Sequence, residues 1–274
     1  MKKLVAFALA GVLAVGTLAG CGAKENEKKD DKVVKVAASA TPHAEILEEA
    51  APLLKEKGFE LEVKVFDDYV QPNEVVESGD FDANYFQHVQ YMEGFNKDKG
   101  THLVIAGKIH YEPFGLYPGA KSDLEELAEG DKIAVPNDGT NEARALLLLQ
   151  ENGIIKLKKD VDLMKATVTD IAENPKNVEI IELEAAQIPR VKEEMSFVIM
   201  NGNYALQAGF SAGKDAIVCE TADSEAINSY VNILAVKEGN EDNEGVRALV
   251  EVLKSDEIRK FMEEKYNGAV IPFE

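Results

Sequence analysis

The chain has 274 residues, with 30 Lys+Arg against 50 Asp+Glu and a formal net charge of −20. A surface this acidic argues against nucleic acid or an anionic lipid face as a partner held by charge. No P-loop, G-x-S-x-G elbow or Cys-x-x-Cys pair is present, so nothing points to an enzyme of those classes, and no cofactor is expected.

Residues 1–20 read as an export signal. Lys2 and Lys3 precede an uncharged run from Leu4 to Leu18, which is a secretory core too short to span a bilayer comfortably. Leu18-Ala19-Gly20-Cys21 follows. This resembles the lipobox of bacterial lipoproteins, in which cleavage leaves Cys21 as an acylated (palmitate-bearing) N-terminus. Several acyl chains give stable anchoring where one does not. Residues 22–32, GAKENEKKDDK, carry no large apolar side chain and read as a flexible tether. The expected location is the extracytoplasmic face of a membrane, facing a periplasm if the cell has two membranes. With Cys21 acylated, Cys219 has no disulfide partner. Its setting in AIVCE suggests a small buried hydrophobe.

Beyond the tether, strands and helices alternate. VVKVAAS (33–39) is a strand. Thr41 is placed to cap a helix with Pro42 at its first position, running to about Lys57 and closed by Gly58, with a kink at Pro52. ELEVKVF (60–66) alternates as a strand should. A helix near 73–78 and a short strand near 83–86 come next, then strands at THLVIAGKI (101–109) and FGLYP (114–118). The second half repeats the theme. KIAVP (132–136) is a strand, followed by a helix from Thr140 to about Asn152. VEIIEL (178–183), FVIMN (197–201), AIVCE (216–220) and YVNILAVK (230–237) are strands, and helices at 243–254 and 256–265 close the chain. Such alternation predicts an α/β protein with largely parallel sheets and two lobes flanking a cleft. The expected crossings put residues 33–115 and 232–274 in lobe one and 116–231 in lobe two.

Several segments carry a specific resemblance. DYVQPNEVVESGDFDANYFQHVQYM (68–92), EPFGLYP (112–118), VPNDGTNEARALLLLQENGIIKL (135–157), ENPKNVEIIELEAAQIPR (173–190), NGNYALQAG (201–209) and SYVNILAVK (229–237) are similar to the signatures of methionine-binding lipoproteins of the MetQ/NlpA family. They stay in order and cover essentially the whole chain. The resemblance implies a type II periplasmic-binding-protein fold, a ligand cleft between lobes, L-methionine as ligand and an ABC importer as partner.

An amino-acid pocket needs partners for a carboxylate, an ammonium and a side chain. Arg144, early in the helix near Thr140, offers a planar fork for the carboxylate, helped by the helix dipole. The plainer alternative is an ion pair with Glu142 or a nearby acid. By the resemblance, Asn201 and Asn232 contact the amino acid. An Asn within the apolar YVNILAV strand is costly if buried without partners, whereas turn chemistry and an edge position are the plainer accounts. Tyr69, Phe86 and His88 match family residues around the side chain, where a thioether meets aromatic edges favourably. Asn203 reads as a turn residue and Gln87 as support. Ala143 stands where the family often has Gly, and Pro118 where Ser is more usual, which narrows the expected carboxylate end and removes a donor. A related amino acid or a methionyl dipeptide is therefore the alternative ligand. The four histidines, His43, His88, His102 and His110, form no paired metal motif, which leaves metal capture and an envelope enzyme as the lesser alternatives. Acid pairs such as Glu48-Glu49 and Asp67-Asp68 read as solvated faces.

Overall fold

The computed structural model describes residues 32–220 and 228–274. The signal segment, Cys21 and the tether up to residue 31 lie outside them. The strands are β1 (Val33–Ala38), β2 (Glu60–Val65), β3 (Ala83–His88), β4 (Leu103–Tyr111), β5 (Gly115–Pro118), β6 (Lys132–Pro136), β7 (Lys156–Leu157), β8 (Ile171–Glu173), β9 (Glu179–Leu183), β10 (Phe197–Met200), β11 (Val218–Cys219), β12 (Val231–Lys237) and β13 (Ile271–Pro272). The helices that position the site are α1 (Glu45–Glu56), α2 (Gln71–Glu77), α3 (Val89–Lys99), α4 (Gly139–Glu151) and α5 (Gly202–Gln207).

Two sheets organise the fold, one for each lobe. The first has six strands in the order β13-β4-β12-β3-β1-β2, and the second has five in the order β11-β5-β10-β6-β9. Both are mixed, which corrects the expectation of largely parallel sheets. β1 runs parallel to β2 and β3, and β6 parallel to β9 and β10. The strands next to the crossings, β4, β5 and β12, pair antiparallel with their neighbours. A chain that leaves one sheet and later returns to it is freed from the right-handed helical crossover that enforces parallel pairing.

Burial explains which segments became strands. β3 and β12 are central and buried, so polar Asn84, Gln87 and Asn232 are carried inside by apolar neighbours. β2, at the edge, keeps the alternation seen in its sequence. The first core packs Val36, Ile46, Leu47, Leu54 and Tyr85 against Leu249 and Met262 of the closing helices, Glu244–Leu253 and Asp256–Tyr266. The second core gathers Phe114, Ile133, Leu146, Leu149, Phe197 and Ile199. α1 continues through Pro52, which is exposed, so water can take the Glu48 carbonyl that loses its partner.

Three local expectations change. Thr41 keeps an extended backbone (φ −131°, ψ 132°) before the helix, but its hydroxyl donates to the Glu45 carboxylate at 2.7 Å instead of capping a backbone N–H. The cap of α4 is Asp138, whose Oδ1 accepts from the Asn141 N–H at 3.0 Å, not Thr140. Cys219 is exposed, because β11 is a two-residue edge strand with one neighbour. α3 has no counterpart in the sequence reading, since its apolar positions, Val89, Met92 and Phe95, are few and interrupted by Gly94. Among the described residues no helix is long and apolar enough to cross a membrane.

Candidate functional site

The two sheets meet around a narrow, nearly filled cavity of about 20 Å³. Tyr69, Phe86, His88, Arg144, Asn201 and Asn232 all line it. Gln87, Tyr91, Glu112, Asn141, Gly202 and Asn203 complete the lining. A larger hollow of about 640 Å³ shares Tyr91 and lies between α3 and residues 138–140 and 162–165. Ala143 packs in the second core and Pro118 ends β5, so neither reaches the cavity. Glu48 and Glu49 are exposed, as expected of solvated acids.

α4 delivers Arg144. The apolar face through Leu146 and Leu149 is buried, which fixes the helix and leaves Arg144 itself 4% exposed. Its guanidinium lies 4.1 Å from the ring centroid of Tyr230 and 4.7 Å from that of Phe114, a desolvated cation–π setting. Its Nε donates to Glu220 Oε2 at 2.9 Å, its Nη2 donates to the other Glu220 oxygen, and Nη2 also donates to the Glu112 carbonyl at 3.1 Å. The acid that pairs with Arg144 is therefore Glu220, 76 residues away in sequence, and not Glu142. Burial alone would lower the Arg144 pKa, but Glu220 outweighs it and pushes it up.

The first-sheet wall is a closed hydrogen-bond network. Asn232, in the middle of its sheet and not at an edge, accepts through Oδ1 from His43 Nε2 at 2.9 Å. His43 Nδ1 meets the Ser39 hydroxyl at 2.7 Å. His110 Nε2 donates to Glu112 Oε1 at 2.8 Å, and its Nδ1 accepts from the Tyr85 hydroxyl. Asn73, Asn84 and Gln87 satisfy one another behind Phe86. Burial lowers the pKa of His43 to about 4, with Glu112 opposing, and that of His110 to about 3. Both rings are neutral at pH 7, and each carries its proton on Nε2. Burial also raises the Glu112 carboxyl, against the pull of His43 and Arg144.

Histidines far apart in sequence thus converge. His43, His110 and Glu112 place three ligand atoms within 4.8 Å of one another, a set that could hold a metal ion. Every imidazole nitrogen there already has a hydrogen-bond partner, so a cation would have to replace two N–H protons.

The second-sheet wall is held by a relay from the α4 cap. Both Asp138 oxygens accept from Asn141 Nδ2, and Asn141 Oδ1 accepts from Asn201 Nδ2 at 2.9 Å and from His88 Nε2 at 3.1 Å. His88 also caps α3, accepting the Tyr91 N–H at 3.1 Å. It is buried, and its pKa falls to about 3 through burial and then Arg144. This relay points Asn201 Oδ1 away from Asn141, and that buried oxygen has no hydrogen-bond partner. Asn203 accepts from the Tyr69 hydroxyl at 2.6 Å, while its buried Nδ2 has none. Tyr69 anchors an aromatic group, its ring centroid 5.0 Å from Tyr204, 5.6 Å from Tyr91 and 5.7 Å from Phe86.

Glu112 and Asn141 were missing from the sequence reading. Glu112 is the one acid in HYEPFGLYP, an otherwise apolar-aromatic run, and that was a usable signal. Asn141 gave none, because an Asn in a helix's first turn is ordinary. The arrangement offers a buried guanidinium, unpartnered amide atoms and an aromatic end. That suits capture of a small amphiphilic zwitterion.

Comparison with known proteins identifies relatives along nearly the whole described chain. The NlpA lipoprotein family matches residues 34–274. The methionine-binding lipoprotein MetQ of Bacillus subtilis (strain 168) is 42% identical over 99% of both chains. A lipoprotein structure from Ruminococcus gnavus ATCC 29149 is 69% identical, with TM-score 0.87 over 89% of this chain and 100% of that one. A nutrient binding protein from Burkholderia cenocepacia bound to methionine is 41% identical, with TM-score 0.83 over 87% and 99% of the two chains. An ABC transporter periplasmic substrate-binding protein from Coxiella burnetii is 36% identical, with TM-score 0.82 over 88% and 100%.

Proposed function

The chain belongs to the NlpA lipoprotein family, and from that premise we propose that it is an extracytoplasmic lipoprotein that binds L-methionine and delivers it to an ABC importer. The observation that carries the reading is the cavity between the lobes, with a buried Arg144 at one side and the Tyr69–Phe86–Tyr91 rings in the same lining. Arg144 takes the ligand carboxylate. Its Nε–Nη2 edge is held by Glu220, so capture by that edge requires Glu220 to yield it. Asn201 and Asn232 face the amino end, and His88 supports the Asn141–Asn201 relay. Tyr69 and Phe86 receive the thioether. Transport relatives such as the Coxiella burnetii protein support a receptor and not an enzyme.

The same reading makes Cys21 the lipidated N-terminus and residues 22–32 the tether. It takes residues 33–115 and 232–274 as one lobe and 116–231 as the other. Sheet membership supports this division to within one residue, since Gly115 already pairs in the second sheet and Val231 in the first. Crossings between lobes permit hinge closure on a ligand. Calorimetric titration tests the proposal on protein unfolded and refolded to strip bound ligand. L-methionine should bind far more tightly than glycine or Zn²⁺. Comparable affinities for all three would refute it.

A further inference from the structure

We propose that Glu112 carries the ammonium group of the bound amino acid, so that the site selects ligands with a free, charged α-amino group. This rests on the reading of the cavity as an amino-acid site. The amides alone fall short of that task. Asn232 Oδ1 already accepts from His43, and an amide oxygen supplies no counter-charge.

Glu112 supplies one. It lies just beyond β4, where the chain leaves the first sheet, lines the cavity and is 5% exposed. Its Oε1 accepts from His110 at 2.8 Å and lies 3.4 Å from His43 Nε2. The Asn203 backbone N–H also donates to the carboxylate. All of these donors are neutral. Arg144, the nearest cation in the lining, reaches only the Glu112 carbonyl and gives its fork to Glu220. The Arg144–Glu220 pair is neutral as a unit, and the Glu112 carboxylate, the one acid in the cavity lining, has only neutral imidazoles within ion-pair distance. A buried carboxylate without a cation is costly, and a cation brought by the ligand removes that cost.

Two further features aim the site at an ammonium. Gly202 packs so closely that a Cβ there would lie 2.6 Å from Glu112 Oε2, so the absent side chain is what lets the carboxylate sit against α5. Asn201, the preceding residue, holds its unpartnered Oδ1 in the same lining. A carboxylate and an amide oxygen together match the several N–H donors of an ammonium.

The test titrates L-methionine and its desamino analogue, 4-(methylthio)butanoate, into the refolded wild type and Glu112→Gln. The wild type should prefer methionine. Glu112→Gln should weaken methionine on the order of 100-fold while leaving the analogue's affinity unchanged, with Tm equal to or above wild type. Undiminished methionine binding by Glu112→Gln, or equal weakening of both ligands, overturns the inference while the methionine reading stands. A wild type that binds no methionine sinks that reading and this inference with it. If Glu112→Gln does not fold, the wild type decides, and equal affinity for the two ligands overturns the inference.

Discussion

On the first-sheet wall of the cavity the buried amides and imidazoles are held by one another. On the second-sheet side, partners run out. Among the described residues, the buried side-chain N and O atoms without a hydrogen-bond partner are Tyr117 Oη, Asn201 Oδ1 and Asn203 Nδ2, of which the two asparagine atoms belong to the cavity lining and Tyr117 to a core cluster. An unpaired buried polar group costs on the order of 1–3 kcal/mol, so the second wall stores a demand for a ligand that the first does not. The first wall is a preformed floor, and the second is the side a ligand completes. Substitutions that delete a hydrogen-bonding group from the floor should therefore disturb folding as well as binding, whereas those opposite should mainly disturb binding.

The largest effect tests the second wall. Arg144→Ala should lose methionine affinity by about 2–5 kcal/mol, read by calorimetry, with its helix still held by Leu146 and Leu149. Undiminished binding would remove Arg144 from the site.

Acid should act chiefly through the buried imidazoles. The folded pKa values of His43, His88 and His110 are about 4, 3 and 3, all below the ordinary value, because burial disfavours the cation. Between those values and about pH 6.5 the unfolded chain binds more protons, so stability is present above that window and is lost as pH falls through it. Full protonation costs on the order of 3 kcal/mol for His43. Glu112, Asp138 and Glu142, whose carboxyls burial raises, oppose this between the ordinary carboxylate range and their own folded values, while hydrogen-bonded carboxyls held low, such as Glu45, Glu77 and Asp131, add to the loss as pH falls further. Tm measured at pH 5 should fall below that at pH 7, and a flat profile would contradict neutral buried imidazoles.

Asn232→Ala and Asn201→Ala separate the walls directly. Asn232→Ala leaves the His43 Nε2–H only its longer contact with Glu112 Oε1 and should lower stability by about 1–3 kcal/mol together with affinity. Asn201→Ala loses one bond to Asn141 and should weaken methionine with a smaller change in Tm. Equal Tm losses would erase the distinction between the walls. Glu49→Ala, on an exposed face, should stay within about 0.5 kcal/mol on both counts.

Local chemistry wrote much of this molecule into its sequence. Strands such as KIAVP and YVNILAV and the helices around Leu146–Leu149 and at the C-terminus follow from apolar periodicity and turn residues, which act over a few positions. Asn232 could be suspected because it interrupts an apolar strand at a price in desolvation, Arg144 because a helix start presents its fork to a carboxylate, and Asn201 through the family resemblance. Only the folded chain decided their partners. Glu220 reaches Arg144 across 76 positions and Asn232 reaches His43 across 189. Mixed pairing in both sheets, an exposed Cys219 and the meeting of His43, His110 and Glu112 likewise depend on where the chain crosses between sheets. Sequence periodicity carries the direction of a side chain along its own element. It carries nothing about which distant element will face it, because that is set by the packing of two separate cores.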